Sequence, residues 1–518
     1  MAGAGEDEAA PPPPSPLDRQ QPMDEAAAAA KRSRSEHHHG VADGPSFRME
    51  DLPAEVQPLI ISLLPLKEAV RTSTVSGSWT TLWRFHGNLC FHGPDDSKFD
   101  TADQHSAKIK RAKFIEAVNL VIQQHSGIGI NKFSIRCGMH KEYSDNFDRW
   151  IAFAASSKAN IIDFNLKNIY RPLEIHHFPL EALDSQGCSF VHSLFLTSIS
   201  IKPHSGISGF TILRRLVLKF VEILGDFPGL LAKCSELEDL VIIWCYGVHD
   251  LIIPHKLDKL QHLRISGTDV QMVEFHAPDL SHFEYNGQVI PIVLHGCTKL
   301  EKATIKFNGT QALAHAFTAV PSILPVKTLN VQAFIPKYAQ LQKLPTRQQG
   351  MFLHLRHMTC QLIVNSNDPN GDNEVLQLAN CLDVAPELET LELHMLCAIP
   401  SGFSSGEVVV MRCHDHLKTV FMSGFRCYKA QINLACCILG NASVLEQLII
   451  EPRIRDTTWP GDSSRLNTGL EEILPGICEW AQLTSKRFAR RLLWPGKTQD
   501  LFSTIVSECR LQIIRSKS

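Results

Sequence analysis

The middle of the chain repeats the pattern L-x-x-L-x-L, with other apolar residues in place of some leucines. In each unit the fourth and sixth residues alternate with polar residues, which is typical of a short strand buried on one face. Neighbouring units begin 20 to 33 residues apart, a spacing that indicates stacked copies of one supersecondary unit. The twelve units begin at Ile161, Val191, Leu213, Leu237, Leu260, Leu280, Leu300, Val326, Leu355, Leu388, Leu417 and Leu445.

The connectors between these units, such as FPGLLAKCSE, IVLHGCTK and LANCLDVAPE, are predicted to be helical or irregular. Stacked strands with such connectors on the outer side form a curved solenoid, whose inner sheet leaves one face in solvent. The third, fifth and seventh residues of each unit are predicted to point to that concave face, where a partner can contact them. In the central units these residues are His262, Arg264, Ser266, His282, Glu284, Asn286, Lys302, Thr304 and Lys306.

A different pattern precedes the repeats, in residues 51–83, where apolar residues recur at helical spacing. Pro53 is predicted to begin a helix, Pro65 to end it, and Ser76 to cap a third helix. A unit this short falls below the roughly 40 residues that usually support a core. The rest of the chain, another protein or both must therefore cover its apolar surface. The apolar positions are Val56, Leu59, Ile60, Leu63 and Leu64, then Leu66, Ala69 and Val70, then Trp79, Leu82 and Trp83.

These residues resemble an F-box, whose pattern runs Leu-Pro-x-Glu, then Ile-Leu-Ser-x-Leu-Pro, then Val-Ser-x-x-Trp. Pro58 departs from the pattern because it lies inside the first helix, where it should kink or loosen a turn, and Gly77 replaces a residue that is commonly basic. The alternative is an ordinary helical subdomain packed on its own chain. The resemblance implies a Skp-type adaptor as partner, and through it a cullin, with the adaptor bound by Leu52, Pro53, Ile60, Ile61, Leu64, Pro65, Val75 and Trp79.

The repeats are similar to the leucine-rich repeats that follow the F-box in a family of plant proteins, and residues 414–453 resemble the FBD segment of that family. The match to the FBD segment includes His416, Leu417, Lys418, Val420, Gly424, Phe425, Ile438, Leu439, Asn441, Ala442, Leu445 and Leu448. The family resemblance implies an α/β fold class, with a short all-helical F-box followed by an irregular leucine-rich-repeat solenoid.

The domain organisation expected from these patterns has six parts. They are a disordered tail at 1–47, the F-box at 48–88, a connecting segment at 89–160, the repeats at 161–413, the FBD-like closing repeats at 414–453, and a helical cap at 454–518.

Charge is nearly balanced, with 51 Lys and Arg against 54 Asp and Glu, so no basic field indicates nucleic acid as a partner. No apolar stretch approaches the roughly 18 residues of a membrane span, and we expect no membrane partner. The start, MAGAGEDEAAPPPPSP, is acidic and proline-rich where a secretory signal would be basic and then apolar. We therefore expect the protein in the cytoplasm, the nucleus or both.

Motifs for catalysis or cofactor binding are incomplete, so we expect no cofactor, no metal and no catalytic residue. Gly496, Lys497 and Thr498 look like the end of a phosphate-binding loop, but Arg491 occupies the place of its earlier glycine. The metal candidates at 414–416 lack a second cluster of ligands at a fitting spacing. Cys234 and Cys297 occupy a place that alanine fills in other units, so we expect small buried residues rather than nucleophiles.

The resemblance implies a substrate-recognition subunit of a Skp-cullin-F-box ubiquitin ligase, with the bond chemistry supplied by other subunits. Two alternatives remain open: a receptor whose concave face binds a small molecule, and a repeat scaffold outside ubiquitin transfer. The identity of the substrate protein does not follow from the sequence. The candidate substrate-binding residues are His262, Arg264, His282, Glu284, Lys302 and Lys306.

Overall fold

A long parallel sheet dominates the computed structural model, which has an α/β fold. The structure describes residues 51–53, 55–74, 79–94, 104–139, 141–166, 175–184, 190–204, 206–208, 210–308, 325–335, 352–364, 382, 385–397, 413–425, 429–451 and 510–513. The chain divides into two compact units, residues 1–60 and residues 61–518.

The long sheet contains fifteen strands in the described residues, and the neighbours in it run parallel. The order of these strands across the sheet is their order along the chain, with a crossover connection between neighbours. The strands are β1 Asn88–His92, β2 Lys132–Arg136, β3 Ile161–Asn165, β5 Ser193–Thr197, β7 Arg215–Lys219, β9 Asp239–Ile243, β11 His262–Ser266, β13 His282–Gln288, β15 Lys302–Asn308, β16 Thr328–Ile335, β17 His357–Val364, β18 Thr390–Cys397, β19 Thr419–Ser423, β20 Gln447–Glu451 and β21 Arg510–Ile513.

Alternation along strands such as β5, β7 and β9 separates a core face from a more exposed face, as the repeat pattern predicts, whereas β3 and β19 are buried at consecutive positions. Leu263 of β11 lies in register with Leu240 of β9 and Phe283 of β13, and all three are buried. The strands begin two residues after the predicted start of eleven units. The first unit is offset, because Ile161 pairs with Ser193 at the start of its strand. Buried Ala159 therefore occupies the leading position there.

The connectors contain more strand than predicted. Two three-stranded parallel sheets form from them: β4 His176–Phe178, β6 Ile199–Ile201 and β8 Glu222–Ile223 in one, and β10 Asp250–Lys256, β12 Met272–His276 and β14 Ile292–His295 in the other. The connector IVLHGCTK, predicted as helical or irregular, thus contains β14 because its backbone pairs with β12. The connector FPGLLAKCSE does contain a helix, Phe227–Leu231, which Asp226 caps by accepting from the Gly229 amide at 2.8 Å.

The long sheet extends beyond the predicted repeats at both ends. Strands β1 and β2 lie in the predicted connecting segment or at its border, so the boundary at residue 161 is too late for the sheet. At the other end β21 pairs with β20 inside the predicted helical cap. The rest of that cap, like the tail at 1–47, lies outside the described residues. The described helices are α1 Val56–Ser62, α2 Leu66–Thr72, α3 Gln104–Gln124, α4 Ser144–Ser156, α5 Phe227–Leu231 and α6 Lys429–Asn441.

An aromatic cluster joins α4 to the repeats. The ring of Phe147, on α4, lies 5.2 Å from that of Phe164 on β3 and 5.3 Å from that of His176 on β4. Phe164 also contacts Phe133 of β2 and Phe178 of β4, at 5.8 Å and 5.7 Å between ring centroids. Edge and tilted contacts of this kind stabilise a core beyond the area that they bury. The predicted connecting segment is therefore part of the same core as the repeats.

The first two predicted N-terminal helices are present, but the first begins later than predicted. Helix α1 starts at Val56, whose amide donates to the Pro53 carbonyl at 2.9 Å. Pro58 consequently lies in the first turn, where backbone amides have no partner within the helix, so its ring removes no bond. Of the third predicted helix, the described residues include a 3-10 turn at Leu82–Phe85. Among the described helices, none has the length and apolar character needed to cross a bilayer.

Candidate protein-binding surfaces

The part of the predicted F-box that belongs to the second unit, residues 61–88, has a small core of its own. We call it the helical module. Its core contains Ile61 from the end of α1, Ala69 from α2, and two tryptophans, Trp79 and Trp83, with exposed fractions of at most 8%. Leu64, Val70 and Leu82 pack against this core from its edge. The two tryptophans thus anchor a module that would otherwise be too short to fold.

Among the described residues of the helical module, Leu63 is the most exposed large apolar side chain. It follows the end of α1 and is 84% exposed. Two residues later the Pro65 carbonyl accepts bonds from the Glu68 and Ala69 amides, each at 2.9 Å, and so opens α2. The tight turn between the two helices therefore holds Leu63 away from the module core. Full burial of a leucine against a partner contributes about 1.5–3 kcal/mol.

The described residues of the first unit contain the start of α1. Gln57 donates through Nε2 to the Leu52 carbonyl at 2.9 Å, which fixes the chain ahead of α1. Leu59 is 64% exposed. Leu59 and Leu63 were recognised as helical positions but were not predicted as contact residues, although both are exposed whereas Leu52, Ile60 and Leu64 are only partly exposed.

The structure divides the eight predicted adaptor-binding residues by exposure. Ile61 and Trp79 are buried, Leu52, Ile60 and Leu64 are partly buried, Pro53 and Pro65 are exposed, and Val75 lies outside the described residues. A buried side chain offers little surface to a partner. We therefore assign Ile61 and Trp79 to the module core, and the role of the others stays a prediction.

Two histidines connect the helical module to the long sheet with its connectors, which we call the array. His86 donates through Nε2 to the Leu64 carbonyl at 2.9 Å, and its Nδ1 accepts from the Asn88 amide at the start of β1. His125, after α3, donates through Nε2 to the His86 carbonyl at 3.1 Å. The His125 Nδ1 accepts from the Gly127 amide at 3.0 Å, which needs a neutral ring, and burial lowers the pKa of His125 in agreement with that state. Leu66 of α2 also belongs to the core of the array, so the module is continuous with the repeats.

The side of the long sheet that faces away from the core is a second candidate surface, and we call it the open face. The six predicted substrate-binding residues lie on it, in register across three strands. His262, His282 and Lys302 form one row, Arg264 and Glu284 lie in the next, and Lys306 lies in the third. The structure therefore brings all six together, while their role in binding stays a prediction.

Several of these side chains contact one another. The Arg264 guanidinium lies 3.3 Å from the Glu284 carboxylate, and the imidazoles of His262 and His282 stack with centroids 4.8 Å apart. Burial, with His262 and Lys302 nearby, lowers the pKa of His282. His262 also lies 3.6 Å from the carboxylate of Asp239. Much of the charge in this part of the open face is thus satisfied within the chain.

The strand ends carry a feature that sequence reasoning missed. Phe220 follows β7 and Trp244 follows β9, and both have positive φ angles, 52° and 53°. Trp244 is 56% exposed. One sequence signal for this feature was available: Phe220 and Trp244 directly follow their strands, at the position that glycine, Gly267, occupies after β11. A positive φ at an aromatic residue cannot be derived from the repeat pattern, which describes only the buried positions.

Cysteines predicted to be structural are buried. Cys234 and Cys297 are 0% exposed. Burial raises the pKa of Cys234, Cys245 and Cys360 to about 12. A thiol with such a pKa stays protonated at neutral pH and is a poor nucleophile.

Labelling with iodoacetamide tests this assignment. At pH 8 we expect rapid alkylation of exposed Cys413, whereas Cys234, Cys245 and Cys360 should react only after the chain is unfolded. Burial both keeps these thiols protonated at pH 8, since their pKa is about 12, and keeps the reagent away from them. Rapid alkylation of Cys234 in the folded chain at pH 8 would contradict the burial argument. Peptide mass spectrometry identifies each site.

The metal candidates at 414–416 do not converge. His414 is buried, and its Nε2 donates to the Ala385 carbonyl at 2.9 Å. His416 points to Glu387 at 3.7 Å instead. Within the described parts of the chain, no group of three His, Cys, Asp or Glu side chains could hold a metal ion. In this segment His414 therefore ties one repeat to the next.

Comparisons with known proteins agree with this architecture. A family model described as the At1g61320/AtMIF1 LRR domain matches residues 121–466. A putative F-box/LRR-repeat protein of Arabidopsis thaliana, At5g54820, is 25% identical over 85% of this chain and 96% of its own length. A putative F-box/FBD/LRR-repeat protein of the same plant, At1g66290, is 24% identical over 51% of each chain.

A solved structure of an internalin from Listeria monocytogenes covers 57% of this chain and 87% of its own, with 13% identity and a TM-score of 0.23. The family model spans more than half of the chain, and its starting point at residue 121 agrees with a repeat array that begins before residue 161. The chain therefore belongs to the family of the At1g61320/AtMIF1 leucine-rich-repeat domain and is a plant F-box/LRR-repeat protein.

Proposed function

We propose that the chain is the non-catalytic substrate-recognition subunit of a Skp-cullin-F-box ubiquitin ligase. In this proposal the helical module binds the Skp-type adaptor, and the open face binds a substrate protein. Adaptor binding by the helical module is supported mainly by the exposure of Leu63, which is 84% exposed in a module whose described tryptophans are buried. The F-box/LRR names of the relatives support the same assignment.

The distribution of apolar residues in the helical module favours a protein partner. One apolar side is already covered, because Leu66 and Val70 pack against the core of the array. Leu63 remains in solvent, as does Phe85, which is 54% exposed. Binding that buries such residues gains roughly 25 cal/mol for each Å² of apolar surface removed from water. An adaptor groove would supply that burial.

The mechanism in this proposal is proximity. A substrate lysine held near the activated thioester of the ubiquitin-carrying enzyme reacts faster, because binding raises its effective concentration. The chain then contributes two binding surfaces and the rigid spacing between them. The continuous hydrogen bonding from Leu64 through His86 to His125 supports rigidity between the module and the array.

Affinity purification from plant cells, with the proteasome and cullin activation inhibited, tests the proposal. A point variant, Leu63→Asp, is preferable to deletion of the module, because Leu66 belongs to the array core. The wild-type chain should recover the adaptor and a cullin, and Leu63→Asp should lose both. A matched control is Ile128→Asp, since Ile128 is 70% exposed outside the module, and it should behave as wild type. Recovery of the cullin by Leu63→Asp at the wild-type level would oppose the proposal.

Substitution of Arg264, Glu284 and Lys302 together by alanine tests the open face. Exposed ion pairs such as Arg264–Glu284 contribute about 0–1 kcal/mol to stability, so the melting temperature and adaptor binding should stay close to wild type. Complementary charge across an interface sets partner choice, so capture of the substrates identified by affinity purification should weaken. Mass spectrometry of purifications with the wild type and with the triple variant measures how much of each substrate is recovered. Normal capture of every substrate would remove these residues from the binding surface.

A further inference from the structure

A row of residues with left-handed backbone follows four neighbouring strands of the long sheet. Ser198, Phe220, Trp244 and Gly267 follow β5, β7, β9 and β11, with φ angles of 59°, 52°, 53° and 63°. The amide of each donates to a carbonyl of the next strand, and for the first three that carbonyl belongs to the last residue of the strand. The Phe220 amide donates to the Ile243 carbonyl at 2.8 Å, and the Trp244 amide donates to the Ser266 carbonyl at 2.7 Å.

Two members of this row, Phe220 and Trp244, have bulky side chains that are unfavourable at a positive φ. Glycine adopts a positive φ without a steric cost, as Gly267 does. A bulky side chain in that region is strained, by roughly 1–3 kcal/mol for a sparsely populated conformation. Burial would offset the strain, but Trp244 remains 56% exposed. Strain at an exposed aromatic residue is typical of a functional site.

The surroundings of Trp244 hold its indole in one orientation. A Cβ atom on Gly267 would lie 2.7 Å from two indole carbons, so only glycine there leaves room for the ring. On the other side, the Phe220 ring is parallel to the indole within 5°, with the centroids 6.5 Å apart. The two rings thus form a fixed, partly exposed shelf, which we call the aromatic edge.

One row across the open face of the same repeats is apolar. Phe195, Val217 and Val241 lie in register on β5, β7 and β9, and each is partly exposed. Ile243, also partly exposed, directly precedes Trp244. In the next strand the same row holds the charged residue Arg264. The aromatic edge and this row therefore form an apolar surface that ends where the charged rows begin.

Charge on the surrounding open face favours an acidic partner. The chain as a whole has more Asp and Glu than Lys and Arg, 54 against 51, but this face has the opposite balance. From β2 to β15 its basic residues are Lys132, Arg136, Arg215, Lys219, Arg264, Lys302 and Lys306, and its acidic residues are Asp163, Asp239 and Glu284.

The carboxylates of this surface are already paired. Asp163 lies 2.9 Å from Arg136, Asp239 lies 2.7 Å from Arg215, and Glu284 pairs with Arg264. Lys219 lies in register with Ile243 and has no carboxylate within ion-pair distance in the part of the chain that the structure describes. A carboxylate of a partner protein could therefore pair with Lys219 directly beside the apolar surface.

We propose that the aromatic edge and the Phe195–Val217–Val241 row bind an extended acidic segment of a partner protein, through an aromatic or aliphatic anchor residue. The anchor packs on Trp244 and Ile243, while an Asp or Glu of the same segment pairs with Lys219. Buried aromatic anchors of this kind dominate the energy of protein interfaces. That the segment belongs to a ubiquitination substrate rests on the proposed function.

The backbone of Trp244 allows a test that separates binding from folding. Asparagine adopts positive φ more readily than tryptophan, so Trp244→Asn and Phe220→Asn should keep or raise the melting temperature. Binding is measured by fluorescence anisotropy on the full chain, with synthetic peptides that combine Asp and Glu with Trp, Phe or Leu. Trp244→Asn should weaken their binding by roughly thirtyfold or more, the size of a hot-spot loss.

Matched controls define the chemistry. Ile252→Ser removes an exposed apolar residue of the other sheet, 38% exposed, and should leave peptide binding unchanged. Lys219→Ala should weaken binding and reduce its salt dependence, while Lys202→Ala, another exposed lysine, should not. Peptides with Lys and Arg in place of the acids, or Ser in place of the apolar residues, should bind weakly. Equal binding of those peptides, no binding of the acidic apolar ones, or no effect of Trp244→Asn would overturn the proposal.

Titration of the same variants with a Skp-type adaptor separates the two proposals. Trp244→Asn should bind the adaptor as the wild type does. If acidic apolar peptides bind at the aromatic edge but the wild-type chain does not bind the adaptor, the ligase assignment fails and the docking site stands. If the adaptor binds and the peptides do not, the docking site fails and the ligase assignment stands.

Discussion

Replacing Phe147 with alanine is expected to destabilise the whole array by about 3–5 kcal/mol, the usual cost of removing a buried phenylalanine. Phe147 is 1% exposed and contacts Phe164 on β3 and both His176 and Phe178 on β4. Its loss leaves a cavity between α4 and the strands that the close-packed core cannot fill. Denaturant titration followed by both circular dichroism and tryptophan fluorescence measures the change.

The matched control for Phe147→Ala is Leu120→Ala on the neighbouring helix α3. Leu120 is 53% exposed, so its truncation should change stability by no more than about 0.5 kcal/mol. A cost below about 1 kcal/mol for Phe147→Ala would contradict the shared core. So would a separate unfolding transition for the segment at 89–160.

Replacing Trp79 with alanine is the second change with a large expected effect. The residue is one of four buried side chains in the core of the helical module, and its removal should cost about 3–5 kcal/mol locally. We expect the module to open while the repeats stay folded, because its core is a separate cluster. Amide hydrogen exchange should rise in residues 61–88 and stay unchanged in the strands of the array.

Trp79→Phe is the control for that experiment. The indole N–H of Trp79 is buried without a hydrogen-bond partner in the described part of the chain, so phenylalanine loses no bond there. The module should remain closed in Trp79→Phe. Faster exchange in Trp79→Phe than in Trp79→Ala, or none in either, would show that Trp79 is not a core residue.

The repeat pattern predicted the strands well because burial on one face fixes which positions must be apolar. It missed the two earliest strands for different reasons. For β2, the residues Ile130, Phe133 and Ile135 do fit the repeat pattern and are buried, and the sequence analysis overlooked this unit. Before β1 the leading position holds His86, which is polar. It is tolerated in the core because both ring nitrogens have hydrogen-bond partners.

The connectors and the candidate surfaces were less predictable. Strand β8 has two residues, too few for an alternating pattern to emerge. The burial of Trp79 and the exposure of Leu63 depend on the turn at Pro65, which helical spacing alone does not specify. The exposed positions of the open face are not fixed by the repeat pattern, which constrains neither their residue type nor their charge. The aromatic edge depends on a strained backbone at Trp244 that no local preference predicts.

Calorimetric titration of the purified full-length chain with a purified Skp-type adaptor tests the central claim most directly. The account predicts saturable binding with one adaptor per chain. It also predicts that Leu63→Asp weakens this binding by at least about 2 kcal/mol, roughly thirtyfold, while Ile128→Asp binds as the wild type does. A folded wild-type chain that does not bind the adaptor, or equal affinities for wild type and Leu63→Asp, would contradict it.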